Sequence, residues 1–218
     1  MITSPTAADS LLDTDTPSAW TTAEFAAVSR RSVRKFTDKP LTDTQINELL
    51  ALVGRAPSAF NVQPWRFVVV RDETVKRELQ GAAYNQPQVA GAPVVIAMYA
   101  DMEDAISNAE EVVNPGLAPE KAAETAAMIR RTFGGMTPEA RAVWGNAQAN
   151  IALGYLLLLA SSRGIGTSPM LGFQPDAVKS LLGIPAHATV TALVALGWGS
   201  EDGFVSHRHD VDRVVTFR

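Results

Sequence analysis

The sequence predicts a helix-rich protein built around a small central sheet, of the α/β or α+β class. Three short apolar runs are typical of buried strands, and they alternate with segments whose apolar residues recur at helical spacing. Of the 218 residues, 46% are hydrophobic and 19% are charged, which is enough apolar side chain for a sizeable core. We therefore expect one domain over residues 21–218, after a flexible arm at residues 1–20 in which Thr, Ser, Asp and Pro show no period.

The individual elements follow from capping signals and periodicity. Thr42 and Gln45 have the spacing of a capping box, and the apolar stripe after them predicts a helix that ends at Gly54. Residues 102–137 contain helix-forming stretches broken by Pro and Gly, as in a lid or a connector. Strands are predicted at 66–71, 93–99 and 189–198, helices at 21–29, 74–83, 120–131 and 176–182, and an added strand or arm at 211–217.

A long helix is predicted from Thr137, as N-cap, to about Arg163, with Pro138 in its first turn. Its second half, residues 151–160 (IALGYLLLLA), is apolar all round, which is typical of a central core helix or an oligomer interface. This run is too short to span a bilayer, and the first twenty residues lack the basic and apolar stretches of a secretion signal. We expect a soluble, cytoplasmic protein that does not associate with membranes.

Composition excludes several classes of function. Lys plus Arg is 19 and Asp plus Glu is 23, so the net charge of −4 argues against nucleic-acid binding, which depends on neutralising phosphates. The absence of Cys excludes disulfides, thiolate catalysis and Cys-ligated metals. His207 and His209 form a His-x-His pair, and His187 is the third histidine, but no third ligand stands at a helpful spacing, so no metal site is predicted.

The first candidate motif is a cluster of positive charge near the start of the domain. Four of the six residues 30–35 (RRSVRK) are cationic, although the chain as a whole is acidic. Guanidinium groups beside the Ser32 hydroxyl suit a bound phosphate, because charge-assisted hydrogen bonds are strong. A solvated basic end of a helix is the alternative, since the helix dipole also favours cations there.

Three further motifs lie downstream. Residues 56–65 (APSAFNVQPW) place polar side chains on a proline-framed loop that suits a planar heterocycle, or else form a plain turn that puts Trp65 in the core. Residues 164–173 (GIGTSPMLGF) form a glycine-rich turn whose N–H groups face a ligand, or a loop whose glycines only serve turn geometry. Its spacing is not that of a Walker or dinucleotide-binding loop. In residues 206–209 (SHRH), Arg208 is a candidate second anion contact.

The order and spacing of these motifs resemble the nitroreductase family of flavin mononucleotide (FMN) enzymes, over residues 24–216. The pattern Pro-Ser-x-x-Asn-x-Gln-Pro-Trp in the second motif is the most specific part of the resemblance. The resemblance implies FMN contacts for the basic motif and the late arginine: phosphate and ribityl contacts at Arg30, Arg31, Ser32 and Arg208, and a contact near N1 and O2 of the pyrimidine at Arg34.

The remaining implied contacts surround the flavin ring. Gln86 matches a polar side chain at the pyrimidine edge, and Gln148 matches a ribityl or flavin-edge contact. The turn over the flavin matches residues 169–172, with the backbone of Leu171 and Gly172 near flavin N5 and no side chain implied to be catalytic. Some family members carry an acidic residue where this chain has Leu171, which implies a different substrate range. The residues that match this turn are Pro169, Met170, Leu171 and Gly172. A second loop, which the family reaches across from the other subunit, is matched by Pro57, Ser58, Ala59 and Asn61.

The resemblance also implies an α+β fold with a small, mostly antiparallel sheet flanked by helices, in an intertwined homodimer. It implies ping-pong turnover in which NADH or NADPH reduces FMN and a small-molecule acceptor, such as a nitroaromatic, quinone or activated alkene, is then reduced. Reductive dehalogenation, enal or semialdehyde reduction and a non-catalytic flavin-binding module stay open as alternatives. Outside the family, the rival is an anion- or nucleic-acid-binding domain that uses RRSVRK and SHRH.

Overall fold

The computed structural model describes residues 22–218 and has helices on both faces of one four-stranded sheet. The predicted arm at 1–20 and the start of the first predicted helix at Thr21 lie outside the described residues. Within residues 22–218, no helix has the length and apolar character needed to cross a bilayer. The elements are α1 (Thr22–Ser29), α2 (Asp43–Val53), β1 (Trp65–Val70), α3 (Glu73–Ala82), α4 (Pro87–Gly91), β2 (Val94–Ala100), α5 (Met102–Ser107), α6 (Pro119–Gly134), α7 (Pro138–Ser162), β3 (Gly166–Met170), α8 (Pro175–Leu182), β4 (Thr189–Gly197) and α9 (Val211–Val214), with 3-10 turns at Ala59–Asn61 and Ala109–Val112.

The sheet has the strand order β1-β2-β4-β3, and every neighbouring pair is antiparallel. Strands β2 and β4 lie in the middle and are buried on both faces, which explains why their sequences are continuous apolar runs. A register shift between Met98 and Tyr99 interrupts the β2–β4 pairing. The sheet is therefore small and antiparallel, as expected.

Helix α7 organises one face of the sheet. The Thr137 hydroxyl accepts a hydrogen bond from Ala140 N at 3.2 Å, and Pro138 follows it in the first turn, as predicted. Ala152 and Leu156 of α7 are fully buried against β2 and β4. On the opposite side of the helix, Ile151 and Tyr155 are exposed. One apolar side of α7 therefore packs on the core, and the other apolar side faces solvent.

The capping box predicted at the start of α2 is present. Gln45 N donates to the Thr42 hydroxyl at 3.2 Å, and Thr42 N donates to Gln45 Oε1 at 2.9 Å. Two backbone groups that a helix start leaves without partners are satisfied reciprocally. The predicted end at Gly54 also matches the structure.

Two local predictions are wrong. Residues 164–173 are not a turn throughout: Gly166–Met170 form the edge strand β3, which pairs with β4 from Gly166 opposite Gly197 to Met170 opposite Leu193. For residues 211–217 only the strand alternative is wrong, since Val211–Val214 make a single helical turn; the alternative of an arm stays a prediction. Segment 102–137 contains α5, a 3-10 turn and α6.

Candidate functional site

The basic motif lies against the outer edge of the sheet. Ser32 pairs with Thr167 of β3 in an isolated bridge, and Val33 N donates to Thr167 O at 2.9 Å. Gly203 closes over this segment with φ of +71°, and a Cβ at that position would lie only 2.7 Å from Ser32 O. The edge strand on one side and the glycine on the other therefore fix the backbone of residues 32–33.

Three guanidinium groups gather at this edge. Burial lowers the pKa of Arg30, and the charges of Arg208 and Arg31 lower that pKa further. The Arg30 Nη1 atom is buried and has no hydrogen-bond partner within residues 22–218. A buried donor without a partner is costly, and mutually repelling cations add to that cost. An anion with several oxygen acceptors, such as a phosphate, is the kind of group that would satisfy this arrangement.

A cavity of about 250 Å³ adjoins these cations, and Arg30, Arg31, Ser161, Gly164 and Thr167 contribute to its lining. The Arg31 guanidinium donates within the cluster to the carbonyl of Arg30 at 3.1 Å. Glu201 and Asp202 also line this cavity, so its suitability for a phosphate rests on the guanidinium groups and not on a wholly basic lining.

Arg34 lies on the exposed side of the same segment. Its backbone N donates to Glu201 Oε1 at 3.0 Å, and its guanidinium donates to Ser32 O at 3.3 Å. The guanidinium carbon also lies 5.7 Å from the centre of the Phe204 ring. These contacts hold a positive charge at the surface, next to the three-arginine group.

The turn after β3 brings Gln86 to the same edge of the sheet. The Gln86 amide donates to Gly172 O at 2.8 Å, and Leu171 is 71% exposed. Met170 is buried in the core, so its side chain is not available to a ligand. Thr167 and Met170 are about 10 Å apart along the strand, so β3 connects this turn to the basic motif. We call Arg30, Arg31, Ser32, Arg34, Gln86, Pro169, Met170, Leu171, Gly172 and Arg208 the strand-edge group.

The proline-framed loop forms a second group. Its backbone is bent at Phe60, which has φ of +55°, and Gln63 N donates to the Ser58 hydroxyl at 3.0 Å. Ala59 N donates to Gln148 Oε1 at 2.9 Å, and the Asn61 amide donates to Val112 O at 2.9 Å. The structure therefore places Gln148 with this loop, and we call Pro57, Ser58, Ala59, Asn61 and Gln148 the loop group.

The two groups are far apart in one chain. Ser161 borders the cavity beside Arg30, whereas Gln148 holds the loop 13 positions earlier on the same helix. At 1.5 Å per residue, this separation is about 20 Å along α7. A single site that uses both groups is therefore not assembled within one chain at this end of the helix.

Sequence reasoning missed several supporting residues. Glu201 binds the backbone of Arg34 from 167 positions away, and Thr167 accepts from Val33 although it lies inside the glycine-rich motif. Phe60 lies within the proline-framed motif, where an apolar side chain gives no local signal of a ligand contact. Only the glycine at 203 carried a local signal, because glycine is the residue that favours positive φ.

The chain has extensive similarity to known proteins. The model of the nitroreductase family matches residues 27–198. A relative from Thermus thermophilus named NADH dehydrogenase is 47% identical over 196 residues, which cover 90% of this chain and 96% of that protein. The structure of a nitroreductase family protein from Streptococcus pneumoniae superposes with a TM-score of 0.80 and 27% identity, over 88% of this chain and 98% of that one.

A protein from Exiguobacterium sibiricum, solved in complex with FMN, superposes with a TM-score of 0.83 and 25% identity, over 92% of this chain and 99% of that one. These matches extend over most of the chain, and the family model spans the strand-edge group up to Gly172 and the whole loop group. They confirm the predicted α+β fold, and the family that the motifs suggested is also confirmed: this chain belongs to the nitroreductase family.

Proposed function

We propose that this protein is an FMN-dependent oxidoreductase that uses NADH or NADPH to reduce nitroaromatics, quinones or activated alkenes. The observation that carries the proposal is the buried, partnerless Nη1 of Arg30 beside Arg208 and Arg31. A cation cluster that lacks its anion, at the edge of a nitroreductase-family sheet, matches a phosphorylated flavin better than a solvated helix end. The NADH dehydrogenase relative and the FMN-bound structure support the same choice of donor and cofactor.

The residues present fit FMN. Arg30 and Arg208 would hold its phosphate, Arg31 and Ser32 would serve the phosphate and ribityl chain, and Arg34 would face the pyrimidine. When bound, FMN would supply the redox chemistry, hydride acceptance from a nicotinamide and two-electron transfer to an acceptor, and we expect donor and acceptor to use the same place in turn, in a ping-pong cycle. The residues of the chain would bind and orient the flavin and the acceptor and would exclude water from the site. This chemistry needs no nucleophilic side chain.

The Arg34 guanidinium would influence that chemistry through its charge. A fixed positive charge favours an anionic form of a neighbouring group over a neutral one. The guanidinium donates to Ser32 O, while the Glu201 carboxylate accepts from the Arg34 backbone N and also reaches the Lys35 ammonium at 4.0 Å. We expect Arg34 to favour reduction without itself exchanging a proton.

We further propose that the protein acts as a homodimer in which the loop group of one chain completes the strand-edge group of its partner. The separation of about 20 Å along α7 supports this arrangement, because each chain offers two incomplete halves. Exposed apolar residues support it as well: Ile151 and Tyr155 on α7, and Val214 and the 92% exposed Phe217 near the C-terminus. Such side chains are typical of a surface that a partner covers.

The experiment that tests the function begins with the colour of the purified protein. We expect a yellow protein whose visible flavin absorbance bleaches within minutes when NADH or NADPH is added without oxygen, and returns when an acceptor is added. A colourless protein that takes up no added FMN would refute the cofactor. Bound flavin that stays oxidised with both donors would instead indicate a flavin-binding module.

An acceptor screen of the prereduced protein separates the reactions within the family. Rapid reoxidation by quinones or nitroaromatics is the expected result. Halide release from a halogenated aromatic, or preferential reoxidation by an enal, would move the function to dehalogenation or to enal reduction.

A further inference from the structure

Phe60 has a conformation that a bulky side chain rarely adopts. Its φ and ψ are 55° and 13°, within the 3-10 turn Ala59–Asn61. The left-handed region is unfavourable for residues with a Cβ, and it persists only where the surroundings fix the backbone. Strain of this kind is concentrated at ligand-binding sites.

Hydrogen bonds on both sides of Phe60 fix this conformation. Asn61 N donates to Ser58 O at 2.9 Å, which closes the turn around it. Ala59 is tied to Gln148, and the Asn61 side chain is tied to Val112 O. The loop therefore orients the ring at position 60 from anchors on α7 and on the segment before α6.

A cluster of edge-on and tilted aromatic rings supports the Phe60 ring on its buried side. The Phe60 ring is 5.7 Å from that of Phe133 and nearly perpendicular to it, and Phe133 lies 4.6 Å from the Trp144 ring. Phe133 is fully buried, whereas Phe60 is 45% exposed. The result is a rigid aromatic surface that is anchored in the core and open on one side.

We propose that Phe60 forms a wall of the acceptor site and selects planar acceptors by stacking on them. This inference rests on the proposed function, because it places the ring between two loop residues, Ala59 and Asn61, that are expected to approach the flavin. A planar quinone presents an electron-poor face that an aromatic ring stacks on favourably. The segment from Val112 to Trp144, which braces Phe60, would thereby set the shape of the acceptor site.

The test compares a planar acceptor with one that needs no stacking. The planar acceptor is menadione: NADH and one solvent proton together supply the two electrons and two protons that convert it to the hydroquinone. The other is ferricyanide: two ions each take one electron from one NADH, which becomes NAD+ and gives up one proton to solvent. Phe60→Leu removes the planar ring, and Phe60→Trp keeps one.

We expect Phe60→Leu to raise the KM for menadione about three- to tenfold, the range that a lost aromatic contact produces. The KM for ferricyanide should change by less than about twofold, and the FMN content should stay at the wild-type level. Phe60→Trp should keep the wild-type KM for menadione.

Other results overturn the inference. An unchanged menadione KM in Phe60→Leu would show that the ring does not touch the acceptor. Equal losses with both acceptors, together with lost FMN, would show that Phe60 only shapes the loop. Failure of the proposed function is read separately, from a wild-type protein that lacks flavin or is not reduced by NADH or NADPH.

Discussion

Arg30 offers the sharpest test of the phosphate site. Arg30→Met removes the guanidinium but keeps a long apolar stem, so the packing of that stem is largely preserved. The structure shows a buried Nη1 without a partner, beside two further arginines whose charges lower the pKa of Arg30 in addition to its burial. Without a ligand, this buried charge destabilises the fold. With a phosphate bound, the guanidinium would form a strong charge-assisted hydrogen bond.

The two states therefore respond in opposite directions. A charge-assisted hydrogen bond contributes about 1.5–3 kcal/mol, so Arg30→Met should weaken FMN binding about 10- to 150-fold. The flavin-free protein should lose no stability, since a repelled and partly desolvated cation is gone. A residue that only packs or forms a surface ion pair would not combine these two effects.

The assay compares FMN with riboflavin, which is the same ring and ribityl chain without the phosphate. Titration of apoprotein by flavin fluorescence should show a large loss of affinity for FMN and an unchanged affinity for riboflavin. Arg71→Met is the matched control, because Arg71 pairs with Asp43 at 2.8 Å at a distant, exposed position. A ratio of FMN to riboflavin affinity that is the same in Arg30→Met and wild type would refute the reasoning.

Two other changes probe how the groups are held in place. Gly203→Ala puts a Cβ 2.7 Å from Ser32 O and should lower both the urea midpoint and FMN affinity, whereas Gly183→Ala, also at positive φ but with open space, should cost only the backbone strain of about 1–2 kcal/mol and leave FMN binding intact. Equal effects of the two substitutions would contradict the steric argument. Gln148→Ala removes the acceptor for Ala59 N and should weaken FMN about two- to tenfold, measured by the same fluorescence titration.

The sequence predicted β2 and β4 well because a strand buried on both faces must be apolar along its whole length. It failed at β3, whose sequence GTSPM contains residues that are poor strand formers. An edge strand tolerates such residues, Pro included, since one of its sides pairs only in part. Pairing with β4 and with residue 33 decides this segment, and such long-range pairing leaves no local pattern.

The candidate site divides in the same way. Motif resemblance found the charged and polar residues, because phosphate and heterocycle binding demand particular residue types. It did not find the placement of Gln148, which depends on how α7 packs beside the loop and is visible only as its bond to Ala59 N. Nor did it find Phe60, whose role depends on a backbone angle and on a ring 73 positions away, at Phe133.

The arrangement of the two groups across a dimer can be tested by mixing two defective chains. Arg30→Met damages the strand-edge group, and Asn61→Ala damages the loop group. If each site takes one group from each chain, a mixed dimer has one site with both defects and one with none. Random exchange of subunits at equal amounts then restores about a quarter of the sites to wild-type FMN affinity.

If both groups instead serve a site within one chain, every site in the mixture keeps one defect, and no restored affinity appears. A mixture that stays as weak as its parents, although native mass spectrometry detects the mixed dimer, would therefore rule out the cross-subunit site while leaving the phosphate contact of Arg30 untouched.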